Sequence, residues 1–285
     1  TSGNTDKWTW SGWVKRSKLG ATSALFAGHV DGDNRTDIKF NGSDYFILEH
    51  VVGNSYVSRH ISNRLFRDTG AWYHIVVVWD TGNASEHERQ RLYINGAEEN
   101  SWSTATNCAQ NTDSWMNNTA STVVCNIGTA DGGNYFEGVM SHVQFVDGLA
   151  LAPTEFGETD ATTGEWKIKP GTYATPGTNG FHLKFEDSAN LDLDSSSNAL
   201  SFTTSGSLIQ TEDNPDNNFP TWNPLNHDYA NTDSVYSNIN NYAQAGANGA
   251  YNQSVSTMAI TRGSGKWYFE CKYVANDGGV GGIGI

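Results

Sequence analysis

Basic side chains are scarce in this chain: 17 Lys+Arg stand against 31 Asp+Glu, for a formal net charge of −14. That deficit argues against a dedicated nucleic-acid binder, whose affinity comes from Lys and Arg neutralising phosphates, and against anionic membrane as a partner. Cysteine is nearly absent too. Cys108, Cys125 and Cys271 form an odd set without CxxC or zinc spacing, so they read as three buried thiols or as a Cys108–Cys125 pair with one left over. No stretch approaches the ~18 apolar residues of a membrane span, and no apolar run follows Thr1, which predicts a soluble chain without membrane insertion. HExxH, the P-loop and the Gly-x-Ser-x-Gly elbow are missing as well, although three residue types alone leave a Ser/His/Asp hydrolase open.

Aromatics and glycine are abundant: ten Trp, twelve Tyr, twelve Phe and 30 Gly. Disordered acidic chains lack such an aromatic content, so the chain is expected to fold. The hydrophobic period is two rather than 3.6. Trp8-Thr9-Trp10-Ser11-Gly12-Trp13-Val14-Lys15 sets Trp8, Trp10 and Val14 on one face and Thr9, Ser11, Trp13 and Lys15 on the other, predicting a strand with one buried face. Residues 72–79, apolar on both faces, suit a central strand. Arg91-Leu92-Tyr93-Ile94 runs into Asn95-Gly96, the pair that best tolerates the two φ > 0 positions of a hairpin turn. Residues 139–148, 181–186 and 266–273 carry further alternating strings. Many short strands between Gly/Asn/Asp turns predict an all-β fold, an antiparallel β-sandwich.

Charge and turn formers divide the chain. Residues 1–146 carry a net −4 and residues 147–285 a net −10, with no Lys or Arg between Lys184 and Arg262. The Pro/Asn-rich string 214–224 interrupts regular structure, and a weaker seam lies at 159–180. Three parts are expected: a sandwich over 1–158, an acidic connector over 159–224 whose strands complete that sandwich or open a second one, and the N-terminal part of a second sandwich from 225 to 285. The Gly-interrupted run 278–285 stops in mid-pattern, and both ends read as cuts within a longer polypeptide.

Four strings, in order, resemble laminin-G-like, concanavalin A-like domains. They are the Trp-Val-Lys strand of residues 8–15, the Trp-x-His-hydrophobic strand of 72–79, the Leu92-Tyr93-Ile94-Asn95-Gly96 hairpin, and Asn126-Ile127-Gly128 followed by Phe136-Glu137-Gly138-Val139. The resemblance implies a concanavalin A-like jelly roll. Family members usually carry strands ahead of the first Trp strand, which implies that Thr1 is internal. Residues 146–160, 180–185 and 194–199, with the Asn-Phe-x-Thr-x-Asn-Pro-Leu form at 218–225, are similar to tail-fibre and other virion proteins of bacteriophages. Residues 262–285 resemble the start of an SPRY-type β-sandwich, where Gly-Lys-Trp-Tyr-Phe-Glu leads to Gly-Ile-Gly.

An enzyme on this fold would most plausibly be a glycoside hydrolase, which needs two carboxylates about 5–9 Å apart. The Glu-x-Asp-x-x-Glu string of sandwich glucanases does not occur, and Glu155/Glu158/Asp160 read as a solvated turn. His87 between Glu86 and Glu88 reads as a solvated loop. For Ca²⁺, Asp31, Asp33 and Asp37 supply hard oxygens without the spacing of a closed loop, and Asp192 and Asp194 read as an ordinary turn. No cofactor is expected apart from that Ca²⁺ candidate. Sugar recognition needs exposed rings and amides, which Trp102, Trp115, Asn117 and Asn118 offer on a long loop that could equally pack on a neighbouring subunit. The expected function is non-enzymatic: a virion tail fibre or surface appendage that attaches to a host glycan or receptor. Its expected partners are other virion proteins and further copies of the chain, a trimer. A structural collar without glycan binding, and a glycan depolymerase, are the alternatives.

Overall fold

The computed structural model describes residues 3–118, 122–130, 132–169, 176–227, 235–237, 239–244, 254–260 and 265–272. The chain divides into two compact units, Thr1–Phe219 and Pro220–Ile285.

The first unit is an antiparallel sandwich. Its strands are β1 (Lys7–Arg16), β2 (Ser23–Asp31), β3 (Asn34–Phe40), β4 (Tyr45–Val52), β5 (Ser55–Leu65), β6 (Tyr73–Asp80), β7 (Gln90–Ile94), β8 (Ala97–Glu98), β9 (Trp102–Thr106), β10 (Val124–Ile127), β11 (Gly138–Asp147), β12 (Gly157–Thr159), β13 (Trp166–Ile168) and β14 (Phe181–Leu183). One sheet runs β14-β11-β1-β6-β7-β8 and the other β10-β2-β3-β4-β5-β9, with β12-β13 a separate ribbon. This is the all-β sandwich that the period-two pattern predicts. Asn95 (φ 49°) and Gly96 (φ 79°) turn β7 into β8 as the sequence requires. Residues 181–183 join the first sheet at its edge, where Val143, Gln144 and Phe145 pair with Leu183, His182 and Phe181.

Aromatic rings fill the space between the sheets. Trp8 stacks on Trp79 at 5.6 Å, and Phe145 packs against Trp8, Phe26 and Phe181. Trp8, Trp10, Val14, Leu25, Ile38, Phe40, Phe46, Ile75 and Val77 are inaccessible, each contributing on the order of 1.5–3 kcal/mol by burial, with Trp higher. Position β1 in the middle of its sheet explains its density: it pairs with β11 on one side and β6 on the other.

The expectation of a single buried face on β1 is corrected. Thr9, Ser11 and Lys15 are fully buried and Trp13 nearly so. A strap covers them: Phe156 packs with Val76, Val78 and Val146, while the Trp166 ring lies so close to Gly96 and Gly157 that a Cβ on either would meet it at about 2.5 Å. Lys15 is held at the end of this face. Its Nζ donates to Asp213 Oδ2 (2.6 Å), Asn218 Oδ1 (2.7 Å) and the Phe219 carbonyl (2.7 Å), and Trp72 Nε1 donates to Asp213 Oδ1 (2.9 Å). The connector up to Phe219 is thereby bound into the first unit.

In the second unit, β15 (Trp222–His227) pairs with β18 (Ser254–Ser256), and β16 (Val235–Ser237) with β17 (Tyr242–Gln244). The strand expected at 266–273 is not formed over 266–272. A strand persists only where a neighbour takes its N–H and C=O groups, and no ladder to this stretch occurs among the described residues. Tyr273 and the run 278–285 lie outside them. All three thiols are free. Cys108 is buried but Cys125 and Cys271 are exposed, against the reading of three buried thiols.

Candidate functional site

The strap leaves the outer face of the second sheet as the open one, and charged residues line it. Alternation along β3 turns Thr36, Ile38 and Phe40 inward and sends Arg35, Asp37 and Lys39 outward. Pairing sets Asp37 opposite Glu49 of β4, and Glu49 opposite Arg59 of β5. A continuous ion-pair network results. Asp37 meets His29 Nε2 (2.8 Å), Arg35 Nε (3.1 Å) and Lys39 Nζ (2.8 Å), while Glu49 meets Arg35 (3.0 Å), Lys39 (2.6 Å) and Arg59 Nε (3.3 Å).

Both carboxylates are 1% exposed. Burial would raise the Asp37 carboxyl, but the hydrogen bond from His29 and the charge of Lys39 outweigh it and hold Asp37 at about 2. Asp37 and Glu49 are two carboxylates set opposite each other on the face. A glycosidase acid must instead keep its proton near neutral pH, which Asp37, held so low, does not do. Counting His29 as neutral, three cations exceed two anions here, in a chain of net charge −14. Arg59 stands at the margin. Its guanidinium lies 4.2 Å over the half-exposed Tyr56 ring, and Glu49 is its only ion-pair partner among the described residues. A guanidinium held over a ring in this way offers N–H donors to a carboxylate, a sulfate or vicinal hydroxyls.

The loop expected to bind sugar serves the fold. Met116 and Cys108 enter the core, and Ser114 Oγ accepts from Trp8 Nε1 (2.8 Å). Trp115 donates its backbone N–H to Thr36 Oγ1 and its indole N–H to the Val51 carbonyl, both at 2.9 Å. Asn117 is buried at φ 61°; its Nδ2 donates to Asp147 Oδ1 (2.7 Å) and the Asn4 carbonyl, and its Oδ1 accepts from Asn179. Trp102 faces inward from β9, edge-on to His60 at 5.2 Å. Asn118 is half-buried beside them. Closing the end of the sandwich thus takes up the Trp115 indole and the Asn117 amide, while Trp102 and Asn118 stay half-buried.

The Ca²⁺ candidates do not converge. Asp31 Oδ1 accepts from the Asp33 N–H and Asn34 Nδ2 in a turn, whereas Asp37 is embedded in the cation network. No metal-holding group of three or more His, Cys, Asp or Glu occurs among the described residues.

A Ser–His contact lies under the strap. Ser11 Oγ is 2.9 Å from His74 Nε2, and Trp166 Nε1 donates to His74 Nδ1 at 2.9 Å. An indole only donates, so Nδ1 accepts, Nε2 carries the hydrogen, and Ser11 receives it. A general base for a serine would need the opposite tautomer. Burial, with a smaller push from His142, lowers His74 to about 3.

Sequence reasoning did not single out Arg35, Lys39, Glu49, Arg59 or Tyr56. The available signal was the i, i+2 charge alternation Arg35-x-Asp37-x-Lys39 with apolar Ile38 and Phe40 between, which marks a strand whose outer face is ionic.

A laminin-G-type family model, described as the concanavalin A-like lectin/glucanases superfamily, matches residues 1–157. No curated protein matches the sequence. Among solved structures, the chain is similar to a native heptameric SAP-like pentraxin from Limulus polyphemus (19% identity, TM-score 0.35, 53% of this chain and 68% of that one). It is also similar to domain 4 of AbnA, a GH43 extracellular arabinanase from Geobacillus stearothermophilus, in complex with arabinotriose (18%, 0.37, 53% and 65%). A third is a protein from Bacteroides ovatus assigned by name to carbohydrate binding (16%, 0.42, 74% and 55%). The chain thus spans between about half and two thirds of each solved chain, and likeness at these scores says nothing about ligand.

Proposed function

Because the chain belongs to the concanavalin A-like lectin/glucanase superfamily, we propose that it binds glycans without cleaving them, as part of a bacteriophage surface appendage that attaches to the host. The observation that carries the binding reading is Arg59, fixed on Tyr56 at the margin of a cation-rich face in an otherwise acidic protein. Negative charge elsewhere disfavours non-specific contact with acidic cell surfaces, leaving recognition to this face. An acidic sugar fits it best: the carboxylate or sulfate takes the guanidinium, and the ring lies along Tyr56. Weak contacts of this kind would be multiplied by copies in a symmetric assembly, proposed as a trimer together with other virion proteins. The appendage assignment rests on the strings at 146–160, 180–185, 194–199 and 218–225.

The test is binding of the purified chain to extracted host envelope polysaccharide and to defined acidic and neutral polysaccharides, alongside Arg59→Ala. Saturable binding to the acidic members, reduced at least tenfold in the variant, supports the reading, and well-folded protein that binds none overturns it. Release of reducing ends from the bound polysaccharide would overturn the non-enzymatic part. The rim loop, residues 108–118 at the end of the sandwich, favours a second reading. Its aromatics are spent on closing the sandwich, which suits a structural collar that binds no glycan and would give flat curves throughout.

A further inference from the structure

Lys15, Asp213 and Asn218 bring an amine, a carboxylate and a carboxamide within hydrogen-bond distance of one another. The Lys15 side chain is 1% exposed and that of Asp213 6%. Lys15 Nζ lies 2.7 Å from Asn218 Oδ1 and 2.6 Å from Asp213 Oδ2. Since Oδ1 sits only about 1.2 Å from Cγ, Nζ is already close to the ~3–3.5 Å reach of an attacking nucleophile. The other partners fix orientation. Trp72 Nε1 holds the far oxygen of Asp213 at 2.9 Å, and Asn218 Nδ2 donates to the Gly70 carbonyl at 2.8 Å, which sets the plane of the amide.

We propose that Lys15 and Asn218 become joined by a side-chain amide bond. Asp213 Oδ2, 2.6 Å from Nζ, is placed to take one proton from it. The freed lone pair on Nζ forms a bond to Asn218 Cγ. As the tetrahedral centre collapses, the Cγ–Nδ2 bond breaks and that nitrogen leaves as ammonia, carrying the second proton lost by Nζ. Asp213 remains protonated or passes its proton to the departing ammonia. Nothing is oxidised or reduced, and no further reactant enters: one lysine and one asparagine give one amide and one ammonia. The bond links residues 203 positions apart and replaces a buried ion pair by a neutral group.

Intact-mass measurement on the denatured full chain tests this. Wild type is expected to weigh less than its sequence by one ammonia, to resist trypsin after Lys15, and to yield a branched peptide joining the segments of Lys15 and Asn218. Asn218→Ala keeps the Lys15–Asp213 pair and is expected to fold, to show its full sequence mass and to be cleaved after Lys15. Asp213→Asn is expected to remove the bond as well. Folded wild-type protein with full sequence mass and normal cleavage after Lys15 would show an ion pair only and overturn the proposal, as would ammonia loss that persists in Asn218→Ala.

Discussion

Trp166 donates its indole N–H to His74 Nδ1 and thereby decides that His74 donates to Ser11 rather than accepting from it. One residue of the strap sets the tautomer of an imidazole in the sheet beneath. Trp166→Phe leaves that nitrogen buried and unpaired, at a cost of about 1–3 kcal/mol. Urea denaturation should show the loss, with Trp fluorescence corrected for the missing indole. A variant as stable as wild type would mean that the strap contributes nothing to this face.

Acid should weaken the fold before most carboxylates titrate. Burial lowers His74 and His182 to about 3 and His50 to about 4, and it lowers His60 and His142 as well. Their folded pKa values lie below the unfolded ~6.5, so the unfolded chain takes up protons that the native chain refuses. Stability is therefore fully present above pH 6.5 and falls as pH drops toward 3, by up to about 1.4 kcal/mol per pH unit for each histidine. Urea midpoints at pH 7.5, 6 and 5 test the slope, which should flatten in His182→Gln. Asp37, held at about 2, adds a second loss below its unfolded value of about 3.9.

Glu49→Ala should cost about 3–5 kcal/mol, because it removes the one ion-pair partner of Arg59 among the described residues and leaves Arg35 and Lys39 to share Asp37 alone. Substituting exposed Glu86 in the same way should stay within about 0.5 kcal/mol. Equal effects in chemical denaturation would contradict the network's role.

Gly28 faces the rim loop, where a Cβ would stand 2.6 Å from the Trp115 carbonyl oxygen and 2.8 Å from the Met116 nitrogen. Both are backbone atoms and cannot rotate away. Gly28→Ala should destabilise by about 1–3 kcal/mol and speed hydrogen exchange across residues 108–118, measurable by mass spectrometry.

A fragment ending at residue 169 lacks β14, Asp213 and Asn218, and therefore strands Lys15 and Trp72 on an uncovered face. It should give a molten or aggregated product without near-ultraviolet dichroism. Residues 1–219 should show a cooperative thermal transition, and equal cooperativity in both would mean that the connector is dispensable.

Alternation made the sandwich legible: Trp8, Trp10 and Val14 point inward as their spacing requires, and Asn95-Gly96 turns as its chemistry allows. The site was less legible. Trp115 and Asn117 have the side chains of a sugar platform, and sequence cannot tell a ring that meets solvent from one whose N–H is taken by a carbonyl 64 residues away. Lys15 and Asp213 meet 198 positions apart, a pairing decided by the path of the connector over a sheet face and by no local pattern. The ionic face was readable in principle, since Arg35, Asp37 and Lys39 alternate with apolar neighbours, but its register against Glu49 and Arg59 depends on the β3–β4 and β4–β5 hairpins.

The hold of Lys15 on Asp213, Asn218 and Phe219 has a mechanical consequence. Tension arriving from the chain beyond Phe219 would not first peel residues 184–219 off the surface. It would pass through the clasp into β1, which is hydrogen-bonded along both sides, so that many backbone bonds resist together in shear. The end of the first unit is where that route is built.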